Sequence, residues 1–318
     1  MTPGARRTGW RDGIAAALVV TFARPSSWAI GLAGFLAGGG LVLVAWPVLV
    51  LPTPSGLQNS LGGPVTSLAF GSPSPALIAL IAALVAAGVL LLLGGIGVGA
   101  WAERAGIESA VEAARDEGIE GLATADLAGA PGALAVAVLR VISMVPVGVA
   151  LALAWPPLYA ATYRELLVPG NLAVPVVLRV IGDIPGVIAG VVVTWLLADA
   201  AAALAVRHLV LGRRRIVVAL LLGWAELLRR PHRALATAVV GLVPPAVPVV
   251  LALAGAALGW SRAREALASG GDAVAVLAPV VLWVAAWLAA LVLAGVGSAF
   301  RSAAFTFEGR HGALARPV

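Results

Sequence analysis

The chain has 318 residues, of which 61% are hydrophobic and 11% charged. Soluble domains carry about 25% charged residues, and the apolar residues here form runs long enough to cross a bilayer, so the composition excludes an ordinary soluble domain and predicts an all-α polytopic membrane protein. The absence of cysteine excludes disulfides, iron–sulfur clusters and cysteine-ligated zinc, and the net charge of +6 is expected of cytoplasmic membrane loops rather than of a nucleic-acid-binding protein.

The first predicted element is a helix at about 9–23. Its apolar part, Ile14 to Ala23, is followed by Arg24 and Pro25, and no small-residue cleavage site precedes the next long apolar run. We therefore expect a retained amphipathic helix at the cytoplasmic membrane surface rather than a signal peptide.

Six apolar runs predict six transmembrane helices within one membrane domain, 1–318. Each run is long enough for a hydrocarbon core of about 30 Å, and each must be helical because lipid offers no partner to an unpaired backbone group. The predicted spans are about 27–51, 76–101, 141–161, 184–206, 234–260 and 273–300.

The arginines predict the orientation. Seventeen of the 21 fall before the first span, between spans two and three, between spans four and five, or after span six. The opposite side holds only four, which are Arg164, Arg179, Arg262 and Arg264. By the positive-inside rule, we expect a multi-pass plasma-membrane protein with both termini in the cytoplasm.

The two long inner segments carry opposite charge. Seven acids and two arginines lie in 103–126, and seven arginines and one acid lie in 207–233. Helical spacing predicts surface helices at about 103–117 and 213–230, which are solvated, dock on each other, or bind anionic phospholipid head groups. The candidate lipid contacts are Arg213, Arg214, Arg215, Arg229, Arg230 and Arg233.

A faint repeat groups the spans into three helical hairpins. Each pair of spans begins at an arginine, namely Arg24, Arg140 or Arg230, and ends in a similar segment, at 97–105, 201–209 and 295–303. Glycine or proline interrupts the first helix of each hairpin at a similar depth, a pattern typical of binding sites in transporters; ordinary kinks and close packing are the alternative. The candidate helix breaks lining a cavity are Gly38, Gly39, Gly40, Pro156, Pro157, Pro244, Pro245 and Pro248.

Asp183 and Asp199 are the two acids that could lie inside span four. A helix from Ala173 to Val206 would be about 51 Å long, which is too long for a bilayer. We therefore predict an outer interfacial helix at about 172–183, with Arg179 and Asp183 in water. Asp199 remains about 10 Å inside the span, and we predict that it contacts Arg140 or an arginine of 207–233, either as a functional group or as a structural staple.

Nothing in the chain has the pattern of a catalytic or metal centre. The three histidines are far apart in sequence, and no metal-ligand spacing, nucleophile elbow or phosphate-binding loop is present. We expect no enzymatic activity, no catalytic, metal-binding or cofactor-binding residues, and no cofactor.

Three stretches carry a family resemblance: "FARP" at 22–25, "YRELLVPGNLAVPVVLR" at 163–179 and "FRSAAFTFEGR" at 300–310. With them the chain resembles uncharacterised six-span bacterial integral membrane proteins and is remotely similar to the membrane domain of glycerophosphodiester phosphodiesterases. The resemblance implies a helical membrane module and no phosphodiesterase activity, because the catalytic domain is missing.

Two functions follow. The first is a non-enzymatic scaffold, accessory or regulatory module, whose partners are the bilayer, another membrane protein or a second copy of the chain. The alternative is a transporter or lipid-handling protein that uses the interrupted helices and Asp199. A densely packed bundle favours the first function, and a cavity that reaches Asp199 or the breaks favours the second.

Overall fold

The computed structural model describes residues 9–45, 71, 73–119, 122–167, 176–270 and 272–313. Within these ranges every regular element is a helix. One of these elements is a π-helical turn, Leu36–Gly40. The helices are α1 (Trp10–Ala23), α2 (Ser26–Phe35), α3 (Leu41–Ala45), α4 (Pro75–Asp116), α5 (Ala133–Ser143), α6 (Val145–Leu167), α7 (Val176–Asp183), α8 (Pro185–Val210), α9 (Ile216–Arg229), α10 (Pro231–Ala268) and α11 (Ala273–Ala313).

Six helical stretches are long and apolar enough to cross a membrane, which confirms the prediction of an all-α, multi-pass membrane protein. The end of the first predicted span, 46–51, lies outside the described residues. The six stretches are Ser26–Ala45, Pro75–Asp116, Ala133–Glu165, Pro185–Val210, Pro231–Ala268 and Ala273–Arg310.

Helix α11 is the centre of the bundle. It packs most extensively against α10 and also contacts α1, α2, α4 and α8. The pairs α2–α4, α6–α8 and α10–α11 each pack together, as expected of three successive hairpins. The indole Nε1 of Trp10 donates a hydrogen bond of 2.9 Å to Thr237 Oγ1, which ties α1 to α10.

A short helix precedes each pair. Helices α1 and α9 coincide with the helices predicted at 9–23 and 213–230, and α5 takes this place before the second pair. The separate surface helix predicted at 103–117 is wrong, because this stretch is the end of the continuous helix α4, where Ile107 and Val111 are buried. The helix continues because no proline lies between Pro75 and Pro131 to interrupt it.

The opposite end of the bundle holds α7, where a helix was predicted at about 172–183; residues 172–175 lie outside the described ranges. The expectation that Arg179 faces water is wrong. Its Nε lies 2.7 Å from Glu165 Oε2, and both side chains are only 12% exposed. Asp183 instead pairs with Arg164 at 2.9 Å. Both ion pairs join α7 to the end of α6, so this short helix is held by its neighbour as well as by its apolar face.

Glycine allows α2 and α11 to approach until their backbones touch. A Cβ atom at Gly31 would lie 2.7 Å from the backbone nitrogen of Ala299, and one at Gly295 would lie 2.6 Å from the carbonyl oxygen of Trp28. Small residues at helix crossings are a common packing device in membranes, where apolar attraction between helices is weak. The two glycines therefore fix the distance between the first and last spans.

We expect Gly31→Ala to lower the free energy of unfolding by about 1–3 kcal/mol, because the added methyl group meets rigid backbone. Gly88→Ala is the control, since a Cβ there has no neighbour within 4 Å, and it should leave stability unchanged or slightly raised. Unfolding of the purified variants by SDS titration measures both. Equal stability of the two variants would contradict the close approach.

Candidate functional site

Five charged side chains from four helices meet inside the bundle. Glu103 comes from α4, Arg140 from α5, Asp199 and Arg207 from α8, and Arg301 from α11. Asp199 and Arg207 are eight residues apart, which is close to two helical turns, so both point to the same side of α8. We refer to these five residues as the charge cluster.

The small side chains of α8 allow the neighbouring helices to pack closely around its charged residues. Its thirteen residues from Ala198 to Val210 are all buried, and six of them are alanine. Short side chains let α9 approach closely, since a Cβ at Gly223 would lie 2.6 Å from the carbonyl oxygen of Ala201. Gly309 of α11 likewise packs on the side chain of Arg207, where a Cβ would lie 3.0 Å from Arg207 Cβ. The charges of α8 are thereby enclosed by protein rather than by lipid.

Glu103 is the first hub of the cluster. Its carboxylate accepts two hydrogen bonds from Arg140, from Nε at 2.6 Å and from Nη2 at 2.7 Å. It also accepts one from Nη1 of Arg207 at 2.5 Å. The parallel pair of bonds from Arg140 is the bidentate arrangement in which a guanidinium binds a carboxylate most strongly.

Asp199 is the second hub. It accepts a hydrogen bond of 3.1 Å from Arg140 Nη1 and another from Arg301 Nη2. The residue is only 8% exposed. Arg140 thus bridges the two acids, and the cluster alternates in charge from Arg207 through Glu103, Arg140 and Asp199 to Arg301. Three cations and two anions leave a formal excess of one positive charge.

Further contacts fix the two outer arginines. Arg207, whose side chain is 2% exposed, donates to the carbonyl oxygens of Ala203 at 2.9 Å and Ser302 at 3.0 Å. The ring of buried Phe305 lies 5.8 Å from the Cζ of Arg207 and 5.6 Å from that of Arg301, within the range of cation–π attraction. The arginines are therefore held in position before any ligand binds.

A cavity of about 590 Å³ adjoins the cluster, and all five charged residues line it. Its volume is in the range of small-molecule binding sites. Along α4 the lining extends from Leu91 to Ala110, a rise of about 28 Å. Leu91 and Leu92 make one end of the cavity apolar, and the charges lie further along α4, at the level of Glu103.

The structure brings the predicted pair Arg140 and Asp199 into contact, although whether they serve a function stays a prediction. Glu103 and Arg301 were missed, and Arg207, which belongs to the range 207–233 predicted to supply an alternative partner for Asp199, pairs with Glu103 instead. Each of the three lies just beyond the end of a predicted apolar span. A signal was present, since these three residues occupy the same position, the seventh, in the similar segments 97–105, 201–209 and 295–303.

The predicted helix breaks have different outcomes. Gly39 has a φ of 100° in the π-helical turn, so the first helix is interrupted there, and Gly38 lines the cavity, whereas Gly39 and Gly40 are not among its lining residues. The predicted interruptions at the prolines are wrong, because a proline ring has a helical φ and these helices continue despite the missing hydrogen bonds. None of these prolines lines the cavity: Pro156 and Pro157 lie within α6, and Pro244, Pro245 and Pro248 lie within α10.

Among the described residues, the two oppositely charged inner segments make two ion pairs, Glu103 with Arg207 in the charge cluster and Asp126 with Arg213. Arg213 Nη2 lies 2.6 Å from Asp126 Oδ2. The backbone N–H of Ala128 and then the guanidinium of Arg213 hold the pKa of Asp126 below its usual range. The six candidate lipid contacts are divided by exposure: Arg213, Arg215, Arg229 and Arg230 are exposed, and Arg214 and Arg233 are half-buried.

Comparisons with known proteins add no relative: no protein-family model, curated protein or solved structure matches the chain. Among the described residues, no group of three or more histidine, aspartate or glutamate side chains has the arrangement of a metal site. The charge cluster and its cavity are therefore the candidate site, on their own geometry.

Glu103→Ala should lower the free energy of unfolding by about 3–5 kcal/mol, because it leaves the guanidinium groups of Arg140 and Arg207 buried without their shared anion. Glu108→Ala, one turn further along α4, is the matched control. Its ion pair with Arg104 is partly exposed, and its loss should cost about 0–1 kcal/mol. SDS titration of both variants tests the difference, and a similar cost for the two would show that the cluster does not stabilise the bundle.

Proposed function

We propose that the chain is a lipid-handling or transport protein that takes an amphipathic ligand from the bilayer into the cavity. The observation that carries the proposal is the cavity itself, which joins an apolar wall to a charge cluster within the membrane-spanning helices. A ligand with an apolar tail and a polar head has the same two ends.

The apolar end of the cavity opens toward the lipid-facing side of α4. Leu91 and Leu92 line it and are 67% and 63% exposed in the isolated chain. Glu103 lies twelve residues further along α4, a distance of about 18 Å. This separation is comparable with half the thickness of a hydrocarbon core of about 30 Å. An amphiphile can therefore place its head at the cluster while its tail remains level with the tails of the surrounding lipid.

Small residues surround the space between α2 and α4. Ala37 and Gly38 line the cavity from the π-helical turn, and Gly95 and Gly99 line it from α4. A Cβ at Gly95 would lie 3.1 Å from the carbonyl oxygen of Ala37, so the two helices nearly touch there. A small separation of α2 from α4 would open this contact, and the π-helical turn provides a natural place for α2 to bend.

The rival function, a scaffold, accessory or regulatory module, is favoured by a densely packed bundle. The buried half of α8 has such packing, but the cavity does not. We therefore place lipid handling first and keep the expectation that the chain is not an enzyme. With both termini in the cytoplasm, as the arginine distribution indicates, the charge cluster would lie toward the cytoplasmic side of a plasma membrane.

Filling the cavity tests this function. Gly38→Leu places a large side chain at the lining, where a Cβ meets no atom within 4 Å, and Gly88→Leu adds the same side chain to α4 outside the cavity, also without a neighbour. In the first variant the new side chain and the ligand would occupy the same space. A steric cost of about 1–3 kcal/mol should reduce ligand retention by roughly tenfold or more. The second variant should retain ligand like the unmodified protein.

The measurement is quantitative lipid analysis of each purified variant by native mass spectrometry, with a thermal melt to establish that both are folded. Equal amounts of tightly bound amphiphile in the two folded variants, or none in the unmodified protein, would contradict a lipid-handling role for this cavity.

A further inference from the structure

We infer that the ligand's head group is anionic, a phosphate or a carboxylate, and that Arg301 is the residue that binds it. The inference rests on the proposed function, because it identifies the chemistry of the ligand that the same cavity takes. It is carried by the charge balance of the cavity and by the hydrogen bonds that each arginine already makes.

The charges that line the cavity do not cancel. Among the described residues, its lining includes the arginines of the cluster and, as acids, only Glu103 and Asp199. One positive charge therefore has no carboxylate of its own among the lining residues. A cationic head group would be repelled by this excess, whereas an anionic one would complete the alternation of charge that already runs through the cluster.

The hydrogen bonds show which arginine has donors to spare. All three guanidinium nitrogens of Arg140 donate to Glu103 or Asp199. Both terminal nitrogens of Arg207 donate to Glu103 or to protein oxygens. The Nε–H groups of Arg207 and Arg301 are both buried without an acceptor among the described residues. Arg301 donates to those residues through Nη2 alone, to Asp199, so of the three arginines it is the one whose terminal Nη1 also lacks an acceptor there.

A guanidinium donor that lacks an acceptor inside the bundle, as Nη1 of Arg301 does, costs free energy that a ligand oxygen can recover. A guanidinium also presents its N–H groups as a planar fork, which matches two oxygens of a phosphate or carboxylate. Arg301 is 28% exposed at its side chain and lines the cavity, so a head group can reach it. Its position against Phe305 keeps the fork in place.

Asp199 has a second role in this arrangement. It is an anion that the protein itself supplies to Arg301, and it therefore competes with the head group for the same guanidinium. Neutralising Asp199 should strengthen binding of an anionic ligand, and neutralising Arg301 should weaken it. Opposite effects of two neighbouring substitutions are expected from charge recognition and not from general damage to the bundle.

The test uses the full chain, purified in an uncharged detergent, and three probes: short-chain phosphatidic acid, diacylglycerol of the same chain length, and inorganic phosphate. We expect phosphatidic acid to bind roughly tenfold or more tightly than diacylglycerol. Inorganic phosphate alone should compete only weakly, because it lacks the tail. Arg301→Gln should remove the preference for phosphatidic acid, and Asp199→Asn should tighten its binding by roughly two- to tenfold.

Arg264→Gln, an exposed arginine of α10 outside the cavity lining, is the matched control and should change nothing. If Arg301→Gln does not fold, Arg301→Lys keeps the charge but loses the fork, and it should bind phosphatidic acid with intermediate affinity.

The outcomes separate the inference from the function beneath it. Equal binding of diacylglycerol and phosphatidic acid, both lost in Gly38→Leu, would overturn the anionic head group and leave the cavity's lipid-handling role intact. Phosphate binding as tightly as phosphatidic acid would identify a free anion as the ligand and overturn the lipid as its source. Binding of neither lipid would remove the proposed function itself.

Discussion

The constraint on which this structure depends is the cost of placing charge inside a membrane. A carboxylate or guanidinium among hydrocarbon must find a partner of opposite charge, and the partners of Glu103 and Asp199 come from other helices. Satisfying two acids thereby fixes α4, α5, α8 and α11 at one level. The alanine-rich half of α8 follows from the same need, because only short side chains let so many helices reach it.

Small residues serve two opposite purposes in this bundle. At Gly31 and Gly295 the absence of side chains allows the backbones of α2 and α11 to come into contact. At Gly38 on the first span, facing α4, the missing side chain leaves space that no neighbour fills, and a cavity results. The difference lies in the π-helical turn at Leu36–Gly40, where the first span changes direction. The path of the backbone therefore decides whether a glycine gives tight packing or an internal space.

Much of the fold could be predicted from the sequence, because a bilayer permits few structures and long apolar runs must be helices. The site could be predicted only in part. Depth within the span pointed to Asp199 and its antiparallel neighbour Arg140, but hydropathy ended the spans before Glu103, Arg207 and Arg301 and assigned them to water. The helix interruptions predicted at the prolines were wrong for a related reason. The sequence shows where a proline removes a backbone hydrogen bond, but it does not show whether packing against neighbouring helices keeps the backbone helical there. Contacts such as Arg179 with Glu165 depend on three-dimensional approach, which one chain's residue types do not specify.

The order of the charged residues along the chain also determines the order in which their ion pairs can form during synthesis. When a ribosome delivers the helices in order, Glu103 enters first, Arg140 next, then Asp199 and Arg207, and Arg301 last. Each later helix of the cluster supplies a residue whose charge is opposite to that of a residue made earlier. Helix α11, which contacts both α1 and α2, is the last of them. Because α11 follows the other helices of the cluster in the chain, its contacts with α1 and α2 and the ion pair of Arg301 with Asp199 can form only after those helices have been made. Until then, Asp199 has Arg140 as its partner in the cluster and lacks the second guanidinium.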